Sequence, residues 1–326
     1  MSSGCLYCYA KFVAEMKDNI VKISKGVYSN GFKVTAEMDR LFDPFNLKGR
    51  AVIFLSSMGD LFHMEMQKAF TLSGKLIEGG KIALEFIQLV FLVMVSNLQH
   101  IFMVLTKRPH IWLKIADKLQ ISDNIWPGTS VESPEWYSRI ETLKKIPGNG
   151  RKFLSLEPAI ADYDGLEEHV DDGQISLIIM GGESYDTRPE TWVDAKIRRG
   201  EIREAMREAA IAEEIGLRSS RQMSVKSAIA VKEICKRQGI CFFFKQYSYQ
   251  GSHKQHRLLP DVTVEEYEQI LAQNGWAHST INEQIELIGS NPELFRAKKF
   301  SEFPEPALSI MKEWKPEVFE DEEQDG

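Results

Sequence analysis

The chain has 326 residues, 43% hydrophobic and 27% charged, with a net charge of −7 and four cysteines. This is the composition of a globular chain with enough apolar material for one large domain or two smaller ones. It excludes a disulfide scaffold and a globally basic nucleic-acid binder, so any phosphate-tracking surface has to be local.

The first feature along the chain is SGCLYCYA (3–10), a CxxC beside an aromatic. Three chemistries use such a pair: half of a tetrahedral zinc site, a thioredoxin-like redox couple, or part of an iron–sulfur loop. Either metal reading needs further ligands, and Cys235 and Cys241 lie far along the chain. No basic segment leads into an apolar one at the start, and a CxxC without a leader reads as reduced, so the expected compartment is the cytoplasm. RAVIFLSSMGDLFH (50–63) follows, an apolar run ending in small and polar residues, with His63 near that end. Residues 64–82 carry glycine breaks and read as an extended connection. The most apolar stretch is 84–106, interrupted by Gln88, Ser96, Asn97, Gln99 and His100. Those interruptions predict a buried helix, a turn and a buried strand, not a membrane span.

HIFMVLTKRP (100–109), NIWPGTSVES (124–133), RKFLSLEP (151–158), ISLIIMGGES (175–184) and ICFFFKQY (240–247) repeat the pattern of the run at 50–63. Helical periodicity fills 110–119, 134–146 and 224–238. Strand alternating with helix predicts parallel strands near 51–56, 101–106, 125–130, 152–156, 175–180 and 240–245. The expected fold is α/β, an incomplete TIM-type (β/α) barrel over 1–257, with a charged helical insertion at 190–223. Thr263 and Glu266 form a capping box that opens a helical appendage over 258–315, and 316–326 reads as a disordered acidic tail.

Each run ends in polar residues. They are Ser56, Ser57 and Asp60; Thr106, Lys107 and Arg108; Thr129, Ser130 and Glu132; Ser155 and Glu157; Gly181, Gly182, Glu183 and Ser184; Lys245 and Gln246. Strand ends of a barrel converge on one mouth, so Asp60, Lys107, Glu132, Glu157, Glu183 and Lys245 are expected to face one site, with the Cys5–Cys8 loop at its rim. Ion pairing across the mouth is the purely structural alternative for the charged residues. Lys107, Glu157 and Lys245 are the candidate catalytic residues. Cys235, on the apolar face of a helix, and Cys241, at the start of a strand, are expected in the core.

The succession SGCLYCYA, SSMGDLFH, LTKRPH, TSVES, FLSLEP, IIMGGES with Arg188-Pro189 downstream, and FFFKQ resembles one family, from residue 3 to about residue 260. It is the phage and bacterial family named after phage gene products thirty-seven and sixty-eight, whose members carry a three-cysteine motif and are radical-SAM-like. The resemblance implies that Cys5 and Cys8 are the second and third cysteines of that motif, and that the first strand and first cysteine belong before Met1, as in a misplaced start or a truncated chain. It implies a 4Fe–4S cluster whose open iron takes S-adenosylmethionine and generates a deoxyadenosyl radical. Ser57 and Asp60 then stand where the methionine amino group is held. Gly181 and Gly182 would let backbone approach the cofactor. Glu132, Glu157 and Glu183 would meet cofactor or substrate, and Lys107, Arg108 and Lys245 an anionic substrate. The phage setting points to nucleic acid or a nucleotide as substrate. The contrasting expectation is a degenerate barrel whose two-cysteine remnant binds zinc or no metal and which acts through a protein partner.

Overall fold

The computed structural model of the chain describes residues 34–55, 59–63, 69–72, 75–78, 83–182, 223–248 and 257–314. The elements in order are β1 (Ala36–Glu37), β2 (Val52–Leu55), β3 (Ala69–Leu72), β4 (Lys75–Glu78), α1 (Ala83–Val95), β5 (Ile101–Thr106), α2 (Pro109–Ile115), β6 (Ile125–Ser130), α3 (Ser138–Lys144), β7 (Lys152–Leu156), β8 (Ile175–Gly181), α4 (Val225–Gln238), β9 (Cys241–Gln246), α5 (Val264–Gln273), α6 (Ile281–Ser290) and α7 (Ala307–Trp314). Six strands form one sheet in the order β2-β5-β6-β7-β8-β9, and every neighbouring pair is parallel. The order never reverses. Crossovers of one hand that always step the same way put their helices on a single face and curl the sheet around the other.

The pleat sorts residues between those faces. Phe102, Val104, Leu154, Leu156, Ile178, Met180, Phe242 and Phe244 pack with Phe86, Phe91, Trp112, Ile140, Leu143, Val225 and Ile229 of the helices. The alternate residues Ile101, Met103, Trp126, Phe153, Leu177 and Ile179 form a second cluster on the concave face. The curl is measurable. Phe54 of β2 and Phe153 of β7 are three strands apart, about 14 Å at ordinary strand spacing, yet their ring centroids are 5.8 Å apart. Gly128 of β6 makes this possible, because a Cβ there would lie 2.2 Å from the Phe153 ring. The result is an α/β half-barrel.

The concave face is filled from one end by the C-terminal segment. Phe303, Ala307 and Ile310 complete the second cluster, and α7 packs against β2. Just before it, Phe300–Glu302 runs antiparallel along β9. Phe244 N donates to Phe300 O at 2.8 Å and Glu302 N to Phe242 O at 3.1 Å. The segment expected as a helical appendage therefore holds three helices, of which α7 belongs to the core of the half-barrel. Residues 64–82, read as an extended connection, contain instead the antiparallel pair β3–β4, joined in parallel by β1 into a separate three-stranded sheet. The expected insertion at 190–223 falls outside the described residues apart from Met223, as does the tail at 316–326.

Local chemistry sets where the strands start and stop. In α4, Ser224 caps the first turn by accepting from Ser227 N, and Gly239 ends the helix at φ 66°. That left-handed turn suits glycine and delivers Ile240 straight into β9. At the start of β5, buried His100 accepts from Ala51 N at Nδ1, 3.1 Å, and its Nε2 lies 3.1 Å from Pro44 O. A ring that accepts at one nitrogen and donates at the other is the neutral tautomer, and here it ties the entries of β2 and β5 together.

Candidate functional site

The polar ends of the six strands lie at the end of the sheet opposite the one Phe303 and α7 enter, and they group into two sets. The first spans β2, β5 and β6. Asp60 accepts from Thr106 Oγ1 at 2.7 Å and Phe62 N at 3.0 Å through Oδ1, and from Arg108 Nη1 at 2.6 Å and Lys107 N at 3.2 Å through Oδ2. One carboxylate thus fixes the exit of β5 against the exit of β2. Lys107 reaches Glu132, two residues beyond β6, whose other oxygen takes Arg139 Nη1 at 2.9 Å. Arg139 also donates to Ser130 O at 2.8 Å, and its guanidinium stacks 3.9 Å from the Trp136 ring centre. Glu132 is fully buried. Burial pushes its carboxyl up, but the Lys107 ammonium and the Arg139 guanidinium outweigh that and hold it below the usual glutamate range.

The second set spans β7, β8 and β9. Glu157 stands two residues beyond Ser155, the register partner of Ser130 on the neighbouring strand. Glu132 and Glu157 therefore leave adjacent strands at equivalent positions on the concave side. Glu157 Oε1 takes Lys245 Nζ at 2.8 Å, and Oε2 lies 3.3 Å from Ser155 Oγ. Lys245 is the extra residue of a bulge: Met180 pairs with Phe244, and Gly181 pairs with Gln246. A bulge re-aims a side chain, and here Lys245 meets Glu157. Gly181 supplies the room, since a Cβ there would lie 2.9 Å from Glu157 Oε1 and 3.3 Å from Lys245 Cβ.

Tyr163 bonds to the first set and lies within the electrostatic reach of the second. Its hydroxyl donates to Val131 O and Glu132 O, and its phenol is pushed up by burial and by the carboxylates of Glu132 and Glu157. The loop after β7 follows: Ile160 N donates to Glu132 O and Ala159 N to Gly181 O.

The structure thus brings Asp60, Lys107 and Glu132 into one set and Glu157, Gly181 and Lys245 into the next. Gly182 has another reason for being glycine, because a Cβ there would meet Ser248 N at 2.2 Å. An added Cβ would meet Glu157 and Lys245 at Gly181 and Ser248 at Gly182. Cys5, Cys8, Ser57 and Glu183 lie outside the described residues. Cys235 is buried among the helices, where burial pushes its thiol up, and Cys241 packs on the concave face at the start of β9, away from the mouth. His63 donates its backbone N–H to Asp60 O at 3.0 Å. Arg139 and Tyr163 did not stand out in the sequence. Arg139 stands in the first turn of α3, and a carboxylate expected inside a barrel calls for such a cation. Nothing in the sequence marks Tyr163.

A cleft of about 480 Å³ opens at the other end of the sheet, lined by Arg151, Lys152, Gln174, Ser176 and Glu305 among others. Its two cations are committed to backbone, Arg151 Nε to Glu305 O and Lys152 Nζ to Lys144 O. The mouth is the better-built site.

Among the described residues no group of three His, Cys, Asp or Glu side chains is arranged to hold a metal ion, and no helix is long and apolar enough to cross a membrane. No curated protein and no solved structure matches the chain. A family model does, over residues 1–212, more than half of the 326. The chain therefore belongs to the family described as Protein of unknown function (DUF5131).

Proposed function

We propose that the chain is a radical-SAM-like iron–sulfur protein acting at the mouth of the half-barrel. The observation that carries this reading is the division of the concave face. Its lower layers are apolar and closed by Phe303, Ala307 and Ile310, whereas its top layer holds Lys107, Glu132, Ser155, Glu157 and Lys245. Chemistry in a parallel barrel belongs at that end. Cys5 and Cys8 offer thiolates, a donor set that suits an iron–sulfur cluster and equally zinc. With S-adenosylmethionine bound, such a cluster supplies a radical able to abstract hydrogen.

The chain's own residues divide by depth. Asp60 and Glu132, 10% and 0% exposed and bonded through both oxygens, act as struts. Lys107, Glu157 and Lys245 are the residues that reach a bound molecule from the mouth. The experiment is anaerobic reconstitution, with iron and sulfide, of the chain carrying a third cysteine upstream of Cys5. The expected result is a brown protein with about four irons per chain that cleaves S-adenosylmethionine. Cys5→Ala or Cys8→Ala should abolish the colour, and Cys235→Ala or Cys241→Ala should leave it. A folded protein that takes up zinc and no iron would replace this reading with the degenerate-barrel one.

A further inference from the structure

We infer that the stretch 40–50 is a docking surface for an acidic segment that carries an aromatic, and that its occupant is the chain's own C-terminal tail. The inference is independent of the chemistry at the mouth.

What carries it is an ordered turn that buries none of its own side chains. Asp43–Asn46 is a short 3₁₀ turn with no buried residue. Arg40 Nε donates to Asp43 Oδ2 at 2.8 Å, Phe45 N donates to Phe42 O at 3.1 Å, and buried His100 donates from Nε2 to Pro44 O at 3.1 Å. Held in this way, the Phe42 and Phe45 rings have centroids 6.3 Å apart and are 58% and 52% exposed. Leu47 is exposed just after them, and Leu98, two residues before His100, is exposed too. The three exposed aromatics among the described residues, Phe42, Phe45 and Phe54, all lie in this stretch or on β2, into which it leads. Exposed apolar residues scattered singly are ordinary, but a cluster held in place marks a surface where something docks. Lys48 and Arg50 flank the cluster, exposed and without an ion pair among the described residues.

The sequence supplies the occupant. Residues 316–326, PEVFEDEEQDG, hold six acids and no base, with Val318 and Phe319 set between Glu317 and the acid run. Apolar side chains flanked by acids complement exposed rings flanked by bases. The position fits as well. The tail continues from α7, which packs against β2, and Met311 of α7 and Val52 of β2 belong to the same apolar cluster. Arg50 stands two residues before Val52, and α7 ends at Trp314, about one turn beyond Met311. From Trp314, Phe319 is five residues on, a reach of up to about 17 Å, and Asp325 eleven, up to about 38 Å. Two free bases are few for holding a phosphate backbone or an anionic lipid surface, where affinity is built up charge by charge. They suffice for a tethered segment, whose effective concentration is on the order of millimolar.

The test is zero-length carbodiimide coupling of the full chain, which joins an ammonium to a carboxylate in contact with it, with the products mapped by mass spectrometry. The exposed pair Lys298–Asp261, at 3.0 Å, is the reference. The expected product joins Lys48 to one of Glu320, Asp321, Glu322 or Glu323 with a yield comparable to the reference, and high salt reduces it. A mixture of chains with normal and heavy nitrogen should give that product with unmixed masses. Phe319→Ala, and separately Phe42→Ser combined with Phe45→Ser, should each lower it against the reference by about two- to tenfold, the factor that a lost ring contact represents. Leu294→Ser, at an exposed apolar position elsewhere, should leave it unchanged. Phe319→Ala alters only the tail, so it decides the question even where the double variant fails to fold. No Lys48 product while the reference forms would overturn the inference. So would a yield no higher than that to Lys118, exposed just past α2, or one that Phe319→Ala leaves unchanged. A product of mixed mass would give the surface to a second copy and overturn the assignment to the tail.

Discussion

Glu132 shows what a single side chain does for the half-barrel. A carboxylate with no exposure is costly to bury and is tolerable only with its two cations in place. Glu132→Gln keeps the shape and removes the charge that Lys107 and Arg139 face. Breaking such a pair from one side costs about 3–5 kcal/mol. The variant should show a lower denaturant midpoint with an unchanged slope, and a loss below about 1 kcal/mol would mean that water reaches the pair. The same group predicts a pH dependence. Its carboxyl is held below the ordinary range when folded. The stability it adds is therefore full above the unfolded glutamate pKa of about 4.3, and it drains away as pH falls through the lower folded value. Between about pH 5 and pH 3 the wild-type chain should lose more stability than Glu132→Gln, which has no such proton to take up. Parallel losses in the two proteins would show that other carboxylates dominate the acid limb.

Elements were legible wherever one periodicity held along a whole segment. The six runs expected as strands appear within a residue or two of their places, because a strand buried on both faces must be apolar throughout. The helix expected over 224–238 is α4, and the capping box of Thr263 and Glu266 is present with both of its bonds. Two elements were misread for different reasons. AFTL and KLIE flank Ser73-Gly74, a two-residue spacing typical of hairpins, but the nearby glycines were read only as breaks. Phe303, just before α7, and Ala307 and Ile310 within it have ordinary amphipathic spacing, and sequence spacing does not say which face of a distant sheet a helix will fill. Of the mouth, the acids and lysines could be placed from strand ends alone. Their pairing could not, nor could the parts played by Arg139, Tyr163 and the bulge at Lys245. Gly128 belongs at this scale, because it sets how tightly β6 and β7 curl. Gly128→Ala drives a methyl into the Phe153 ring and should cost about 1–3 kcal/mol. Adding Phe153→Leu should recover part of that loss, so the two effects should be clearly non-additive. Simple additivity would mean that the ring does not need the space above Gly128.

At the scale of the whole molecule, the open question for any half-barrel is how its two free edges and its concave face are covered. An open barrel exposes strand edges and an apolar hollow, both hazards for aggregation. In this chain one C-terminal segment covers the β9 edge and fills the hollow, and it reaches as far as β2. Phe300–Glu302 pairs along β9, Phe303, Ala307 and Ile310 fill the hollow, and α7 continues to β2 at the other end of the sheet order. The segment connects the last strand to the first and works as part of the fold. It leaves the mouth untouched, because the residues it covers belong to the lower layers of the concave face. Two consequences can be measured. Ile310→Ala removes a side chain that is 1% exposed and should cost about 2–5 kcal/mol. In native-state hydrogen exchange, the amides of α7 and of β5 should open with the same free energy, as parts of one cooperative unit. If α7 opens at much lower free energy than β5, while Ile310→Ala leaves the denaturation midpoint of the sheet unchanged, the segment is only docked and the half-barrel stands without it. If they open together, the chemistry at the mouth depends on a helix at the far end of the sheet, and Ile310→Ala should weaken ligand binding at the mouth only under conditions where the whole sheet begins to unfold.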